Sequence, residues 1–276
     1  MKFSVLTCNI WDIPYAVSRD DYQRVRRLGY HILVDRPDVV LLQEAFKVKD
    51  RRRLVERLNS SNSAEPLYNV PGNAYDERRL CGLPFFDATG GLVTLSRYPI
   101  EESVFTKFET QGKSWDERFC GKGYTKTLVV TERGQILVVN IHLSNKPEDT
   151  QTRVAQLEQT LEDIEEVQTP IIFGGDFNMT RFNCGEEQTE EFNMIEDEGF
   201  ADSLIGREED FVTFSQQNPY NRFNENGRYD YIFYRQKNSE RMKPKESRLV
   251  GCDKKPISDH HGLFTVFTIE ARKLPV

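Results

Sequence analysis

Short apolar runs alternate along the chain with longer segments in which apolar residues recur every three or four positions. The short runs, rich in β-branched residues, are typical of buried strands, and the longer spacing is typical of amphipathic helices. Strands are predicted at 2–9, 38–44, 91–100, 124–131, 136–144, 170–178, 228–234 and 261–269. Helices are predicted at 18–37, with Ser18 as N-cap and Pro37 as stop, at 48–58 and at 150–167. Gly134 predicts a hairpin turn between two of the strands.

This order of elements indicates an α/β fold with long loops between strands and helices. No linker, repeat or low-complexity tract interrupts the pattern, so residues 1–276 are expected to form a single catalytic domain. A chain of this length can bury a substantial core. Functional side chains in such folds gather in the loops at strand ends.

Charge and cysteine content limit the possible functions. The chain has 37 basic and 44 acidic residues and a net charge of −7, which argues against tight, sequence-independent binding to a phosphate backbone. An anionic substrate would need local cations. The cysteines are odd in number and without a CxxC pair, so mostly free thiols are expected and no zinc site is indicated: Cys8, Cys81, Cys120, Cys184 and Cys252.

The sequence carries no evident membrane or export signal. No run approaches the roughly 20 apolar residues that a transmembrane helix requires. The first residues read as a strand and hold no small-residue cleavage site. A cytoplasmic or peripheral membrane location is therefore expected.

Polar residues stand at the ends of most of the predicted strands. Each has an ordinary explanation by itself, as a turn former, a strand-edge charge or a hydrogen-bonded buried histidine. Unpaired carboxylates and histidines are costly to bury, however, and their recurrence at strand ends predicts one shared site. The residues concerned are Asn9, Glu44, His142, Asp176, Asn178, Asp230, Asp259 and His260.

These residue types suit phosphoryl chemistry with a hard divalent cation. Mg²⁺ prefers oxygen ligands and takes one or two protein carboxylates, a demand that Glu44 and Asn9 meet. A histidine backed by a carboxylate can accept a proton from water near neutral pH, and Asp230 is the candidate partner for His260. Asp259, which precedes His260 in the sequence, is then expected to be a carboxylate near the metal, next to the base His260. Mg²⁺ is the expected ion, with Mn²⁺ or Co²⁺ as substitutes.

Seven motifs, in order and spacing, resemble those of the endonuclease/exonuclease/phosphatase superfamily. They are "NIWDIPY" (9–15), "LLQE" (41–44), "LSRYPI" (95–100), "VNIHLS" (139–144), "GGDFNM" (174–179), "RYDYIFY" (228–234) and "ISDHHGL" (257–263). Within the superfamily the chain is most similar to the neutral sphingomyelinases, through "WDIPY", the "GKG" of 121–123 and "GDFNM". The resemblance implies a DNase I-like four-layer α/β sandwich, with two mixed β-sheets flanked by helices and the site at one edge of the sheets.

The resemblance also implies roles for the site residues. Asn9 and Glu44 would hold the Mg²⁺, with Asp259 near it. Asp176, Asn178 and Lys122 would lie at the scissile phosphate and the attacking water. His142 would steady or protonate the leaving oxygen, and His260 with Asp230 would be the general base. Members of the superfamily differ in whether the base is the final histidine or the aspartate of "GDFN", so both remain open.

The function expected from the resemblance is Mg²⁺-dependent hydrolysis of sphingomyelin or a related phospholipid by a monomeric enzyme. A nuclease of the same fold is the alternative, and a non-catalytic binding module is disfavoured because every expected site residue is present. Trp11 and Tyr15 either line the substrate cleft or pack in the core. Leu83, Phe85 and Phe86 form either a lipid-contacting tip or a satellite core cluster.

Overall fold

The structure is a computed structural model that describes residues 1–14, 17–60, 66–80, 83–181, 186–207, 210–223, 225–236 and 240–271. At 78–80, 83–87, 115, 116, 147, 186–189, 240 and 271 it describes the backbone without the side chain. Tyr15 lies outside the described residues, as do the side chains of Leu83, Phe85 and Phe86. The expectations for these four therefore stay predictions.

Two mixed sheets form the centre of the fold. The first contains β1 (Lys2–Asp12), β2 (Val39–Ala45), β5 (Val93–Ser96), β12 (Glu240–Val250) and β13 (Gly262–Ala271), in the order β12-β13-β1-β2-β5. The second contains β6 (Ile100–Lys107), β7 (Gly123–Thr131), β8 (Gly134–His142), β9 (Ile171–Asp176), β10 (Ala201–Asp202) and β11 (Asp230–Arg235), in the order β10-β11-β9-β8-β7-β6. The pairs β1–β2 and β8–β9 are parallel and the other pairs are antiparallel. A separate hairpin joins β3 (Glu77–Leu80) to β4 (Leu83–Asp87).

Helices cover the outer face of each sheet. The described residues include α1 (Asp21–Asp35), α2 (Val48–Leu58), α3 (Trp115–Cys120), α4 (Thr150–Ile164) and α5 (Glu186–Asp197). One core cluster joins α1 and α2 to the first sheet, and a second joins α4 and α5 to the second sheet. A third lies between the sheets. The predicted four-layer α/β sandwich is confirmed.

The strands divide their side chains between two of these cores. In β1, Phe3 and Val5 face the core between the sheets, whereas Leu6 and Cys8 face the helices. This follows from the two-residue period of a strand, which turns successive side chains to opposite faces. Because both faces are covered, such a strand reads as a continuous apolar run.

Several predicted boundaries are wrong in instructive ways. The segment predicted as one strand at 91–100 contributes β5 to the first sheet and, after a bend at Arg97 and Tyr98, the start of β6 to the second. Ser18 does not cap α1, because its hydroxyl exchanges hydrogen bonds with the backbone of Ile13. The N-cap position belongs to Asp20, and α1 ends at Asp35, just before Pro37. The helix at 48–58 and the hairpin at Gly134 are confirmed.

No helix among the described residues is long and apolar enough to cross a membrane. Cys8, Cys120 and Cys252 are free thiols, as expected. Cys81 and Cys184 lie outside the described residues.

Candidate active site

The polar strand ends of both sheets meet at one edge of the sandwich. In the second sheet the register sets Asp176 directly beside His142 on one side and Asp230 on the other. The first sheet brings Asn9 and Glu44 to the same place. The Asn9 Nδ2 donates to Asp176 Oδ2 at 2.9 Å and to Glu44 Oε1 at 3.0 Å, which ties the two sheets together.

The backbone at this edge is unusual. Trp11, Glu44 and Asn178 have φ angles of 49°, 52° and 51°, in the left-handed region that non-glycine residues rarely adopt. Each such residue costs on the order of 1–3 kcal/mol and persists only where the surroundings fix it. At Gly175 a Cβ atom would come within 2.0 Å of the Ile141 carbonyl oxygen, so the close approach of β8 and β9 requires glycine. The fold therefore holds these side chains in place at an energetic cost.

A buried polar layer lies directly beneath the site, between the sheets. The Gln43 Nε2 donates to Thr7 Oγ1 at 3.1 Å and to Asn140 Oδ1 at 2.7 Å. The Asn140 amide in turn donates to the backbone carbonyls of Leu42 and Val93. The sequence prediction missed these residues, although Asn140 stands two positions before His142 and therefore on the same face of β8.

The carboxylates at the site repel one another and resist ionisation. Burial, together with the charge of Asp259, raises the pKa of Glu44 to about 7. Burial raises the pKa of Asp176 to about 6 and also raises the pKa of Asp259. Within the described residues the buried Glu44 Oε2 has no hydrogen-bond partner. A cluster of destabilised carboxylates with a free oxygen is the donor set that suits a hard divalent cation.

Asn9 makes hydrogen bonds through both ends of its side-chain amide. Its Oδ1 accepts a hydrogen bond from the Trp11 amide at 3.0 Å, while its Nδ2 faces the carboxylates. In this arrangement the amide supports Glu44 and Asp176 by hydrogen bonding, and it would have to rotate before its oxygen could bind a metal. Direct ligation by Asn9 stays a prediction.

His260 belongs to a second acidic cluster. One ligand atom each from Asp176, Asp230 and His260 lies within 4.8 Å of the others, so these residues are a candidate metal site. The His260 Nδ1 and Asp230 Oδ2 are 2.8 Å apart, and the Nε2 faces Asp176 Oδ2 at 3.9 Å. Burial alone would lower the pKa of His260, but the carboxylates of Asp230 and Asp176 outweigh it and raise that pKa to about 10.

His142 has the opposite character. Its side chain is 1% exposed, and neither ring nitrogen has a hydrogen-bond partner among the described residues. Its Nε2 lies 3.7 Å from Asp176 Oδ2 and 3.9 Å from Glu44 Oε1. Burial and the positive charge of Lys122 hold its pKa well below the ordinary value, so His142 is neutral at pH 7. An unpartnered neutral imidazole beside two carboxylates is free to bond a ligand.

Lys122 and Asn178 meet at one backbone carbonyl. The Lys122 Nζ donates to the Leu143 oxygen at 2.7 Å, and Asn178 Nδ2 donates to the same oxygen at 3.0 Å. Lys122 is buried, and Glu117 Oε1 pairs with its Nζ at 3.0 Å. Glu117 was missed by the sequence prediction, because it lies in a polar stretch that carries no periodic signal.

The segment before β11 supports the turn that carries His260. The Asn218 Nδ2 donates to the carbonyl oxygens of Ser258 at 2.9 Å and Asp259 at 3.0 Å. The Phe214 ring lies 4.9 Å from the His260 ring. Neither residue was predicted, because their partners are distant in sequence and follow only from the fold.

Comparisons with known proteins agree with this arrangement. Residues 6–260 match the model of the Endonuclease/Exonuclease/phosphatase family. The chain is 25% identical over 293 aligned residues to Sphingomyelin phosphodiesterase 2 of Rattus norvegicus, covering 98% of this chain and 65% of that protein. It is 27% identical over 150 residues to a Putative neutral sphingomyelinase of Drosophila melanogaster, covering 52% of this chain and 30% of that protein. The chain thus spans just under two thirds of the length of the Rattus relative.

Solved structures share the fold at lower sequence identity. The TDP2 of D. rerio, complexed with a single-strand DNA product, superposes with a TM-score of 0.72 at 20% identity, covering 97% of this chain and 99% of that chain. The beta toxin of Staphylococcus aureus gives a TM-score of 0.70 at 19% identity, covering 95% of this chain and 99% of that chain. At these identities the likeness concerns the fold alone.

Proposed function

Because the chain belongs to the endonuclease/exonuclease/phosphatase family, we propose that it is a metal-dependent phosphodiesterase that hydrolyses sphingomyelin or a related phospholipid and releases the phosphorylated head group. One geometric observation carries the proposal. Asp176 Oδ2 lies 3.7 Å from the Nε2 of His142 and 3.9 Å from the Nε2 of His260. Two imidazole nitrogens therefore lie near one carboxylate oxygen, so separate groups are available for the attacking water and for the departing oxygen of an in-line displacement.

Glu44 and Asp259 would hold the metal ion, with Asn9 beside them. Burial raises the pKa of both carboxyl groups, and the positive charges near them do not fully offset this effect. Mg²⁺ is the proposed ion because the donors are oxygens. When bound, such an ion polarises a phosphoryl oxygen and stabilises the charge of the transition state.

His260 with Asp230 is the proposed general base. Asp230 fixes the tautomer by its contact with Nδ1, which leaves Nε2 for the attacking water. With a pKa of about 10 the imidazole holds its proton at neutral pH, and it becomes a base only where added positive charge offsets the surrounding carboxylates. Asp176, with a pKa of about 6, is the alternative base.

The other residues act on the phosphate and the leaving group. His142 is neutral and unpartnered within the described part of the chain, so it can donate a hydrogen bond to the departing oxygen. Lys122 and Asn178 would contact the phosphate oxygens, and their shared hydrogen bonds to the Leu143 carbonyl, next to His142, support this proposal. All three groups are buried or half-buried, where charge stabilisation is stronger than in water.

A lipid substrate is proposed on the strength of sequence relatives. The match to the Rattus sphingomyelin phosphodiesterase covers 98% of this chain, so it is not confined to one motif or one sheet. The net charge of −7 also disfavours a polyanion such as DNA.

A parallel assay tests the proposal. Purified protein with Mg²⁺, or with EDTA, would be offered sphingomyelin vesicles, lysophosphatidylcholine and plasmid DNA. Phosphocholine release that needs the metal is the expected result, with Asp176→Asn as the control for a contaminating hydrolase. DNA nicking without phosphocholine release would contradict the lipid assignment.

A further inference from the structure

Phe223 is the most exposed large apolar side chain among the described residues, at 64%. Phe223 is the last residue of the segment 214–223, which also contains Phe214 and Asn218, the two residues that contact the site. The Phe223 ring lies 6.4 Å from the Phe214 ring, and the Phe214 ring lies 4.9 Å from His260. A single aromatic ring therefore separates an exposed phenyl group from the proposed base.

A second segment, 17–20, packs against this one and extends the same rim. The Arg19 Nη2 donates to the Pro219 carbonyl at 2.8 Å, and the Tyr220 hydroxyl donates to Asp20 Oδ2 at 3.1 Å. Val17, just before these contacts, is 47% exposed. The rim thus carries apolar side chains on two different loops that the fold joins.

Two arginines accompany the apolar residues. Arg19 and Arg222 are exposed, and neither has a carboxylate partner within the described part of the chain. The Arg222 guanidinium lies 5.4 Å from the centre of the Trp11 ring, which keeps it beside the site. Two guanidinium groups therefore lie beside the mouth of the site on a chain with a net charge of −7, with the Asp20 carboxylate as a nearby negative group.

We propose that Val17, Arg19, Arg222 and Phe223, here called the rim, form the surface with which the protein contacts a phospholipid bilayer. An exposed aromatic ring accompanied by exposed guanidinium groups suits the boundary of head groups and acyl chains, where the ring leaves water and the cations meet lipid phosphates. This inference rests on the proposed lipid substrate. It adds to that proposal the element that brings the site to the membrane.

Vesicle binding tests the rim directly. The full chain, Phe223→Ser and Val34→Ser would be compared by flotation with vesicles of sphingomyelin and phosphatidylcholine, with and without phosphatidylserine. Val34 is a matched control, since it is 61% exposed and lies about 20 Å along α1 from Asp21. Phe223→Ser should weaken vesicle binding roughly tenfold, the scale of one phenyl ring removed from water. Val34→Ser should bind like the wild type.

Arg222→Gln separates the cationic contribution. Its binding should fall most on vesicles with phosphatidylserine, and the difference from wild type should shrink at high salt, since added ions screen exposed charges. Phe223→Trp, which keeps an aromatic ring, should gain a tryptophan fluorescence signal that brominated acyl chains quench. If the introduced indole is not quenched, or if Phe223→Ser binds vesicles as tightly as the wild type, the proposal that the rim contacts the bilayer is wrong.

Hydrolysis assays keep this inference separate from the proposed function. Each variant would also be assayed on a soluble nitrophenyl phosphodiester. If the rim contacts the bilayer, Phe223→Ser should lose about tenfold more hydrolytic activity on vesicles than on the soluble ester. Equal losses on both, or loss of oligonucleotide binding in place of vesicle binding, would reject it. Rim-dependent vesicle binding by a wild type that releases no head group would instead reject the proposed substrate and support the rim.

Discussion

The Nδ1 atom of His260 lies 2.8 Å from Oδ2 of Asp230, and both side chains are buried. The two residues lie at the edges of different sheets, since Asp230 begins β11 and His260 lies two residues before the start of β13. Their contact therefore exists only in the assembled sandwich. It also decides which imidazole nitrogen remains available, because Nδ1 is engaged and Nε2 faces Asp176 at 3.9 Å.

Asp230→Asn tests that contact. The substitution removes the nearest negative charge, so the pKa of His260 should fall from about 10 toward its ordinary value. Turnover should fall roughly 10²- to 10⁴-fold, the range of a general acid or base group. The measurements are an NMR titration of the imidazole and the pH dependence of kcat. Unchanged Mg²⁺ affinity in this variant would support the base role, whereas a large loss of affinity would favour Asp230 as a metal ligand.

Glu44→Gln tests the metal site without relying on activity. Glu44 has a folded pKa of about 7 against an ordinary 4.5, so its contribution to stability is lost as the pH rises from 4.5 through 7. Its side chain is 14% exposed, and the cost at pH 8 without metal is on the order of 2–3 kcal/mol. The variant should therefore melt higher than wild type in EDTA at pH 8.

Added Mg²⁺ should reverse that order. A metal that binds only the folded state raises Tm by mass action, and this rise should vanish in Glu44→Gln because the carboxylate is gone. Calorimetry in EDTA and in Mg²⁺ measures both effects. A variant that keeps the full Mg²⁺-dependent rise in Tm would exclude Glu44 as the anchor.

The polar residues that the sequence singled out lie together in the structure, whereas several predicted element boundaries were wrong. Asn9, Glu44, Asp176 and Asp230 were visible because each interrupts or ends an apolar run, where a polar residue is conspicuous. The edge strands β6 and β12 were missed, since one ladder side is unpaired and their sequences, "IEESVFTK" and "ERMKPKESRLV", are largely polar. An apolar pattern indicates burial, so the edge strand β5, whose four residues are all buried, was predicted while these two polar strands were not.

The residues that support the site could not be found in this way. Glu117 and Asn218 lie in polar segments outside the sheets, and each contacts a partner that only the tertiary structure brings near. The alternation of β8 would have identified Asn140, because it shares a face with His142. Local pattern therefore identified most of the groups proposed to act on substrate, with Lys122 added by the family resemblance, and only the three-dimensional fold identified the residues that hold them.

Asp12 provides a stability test outside the proposed ligands. Burial raises its pKa to about 6 although Lys47 Nζ lies 3.1 Å from its Oδ1. Since the folded pKa exceeds the ordinary 3.8, the native state holds the proton more tightly, and stability is lost as the pH rises from 3.8 through 6. Asp12→Asn should be more stable than wild type by up to about 3 kcal/mol at pH 8 and by little at pH 4. Urea unfolding across this range measures the difference, and a difference that does not change with pH would contradict it.

Glu117→Gln tests whether the ion pair with Glu117 holds Lys122 in place. Removing one partner of a buried ion pair leaves an uncompensated charge and costs about 3–5 kcal/mol. The variant should unfold at lower urea and lose activity, because Lys122 is no longer held beside the Leu143 carbonyl. The double variant with Lys122→Met should recover stability but remain impaired. Full activity in Glu117→Gln would show that Lys122 needs no such support.

The two histidines are expected to differ in how they depend on the leaving group. His142 is the proposed partner of the departing oxygen and His260 the proposed base, so only the first role loses importance when that oxygen needs no proton. His142→Ala should therefore be severe on sphingomyelin but mild on a nitrophenyl phosphodiester, whereas His260→Ala should be severe on both. The measurement is kcat/KM for each variant on each substrate, within a range of roughly 10²- to 10⁴-fold. Rescue of His260→Ala by the activated ester, with His142→Ala still impaired, would exchange the two roles. Rescue of neither would favour Asp176 as base, since its Oδ2 lies 3.7 Å from one imidazole nitrogen and 3.9 Å from the other.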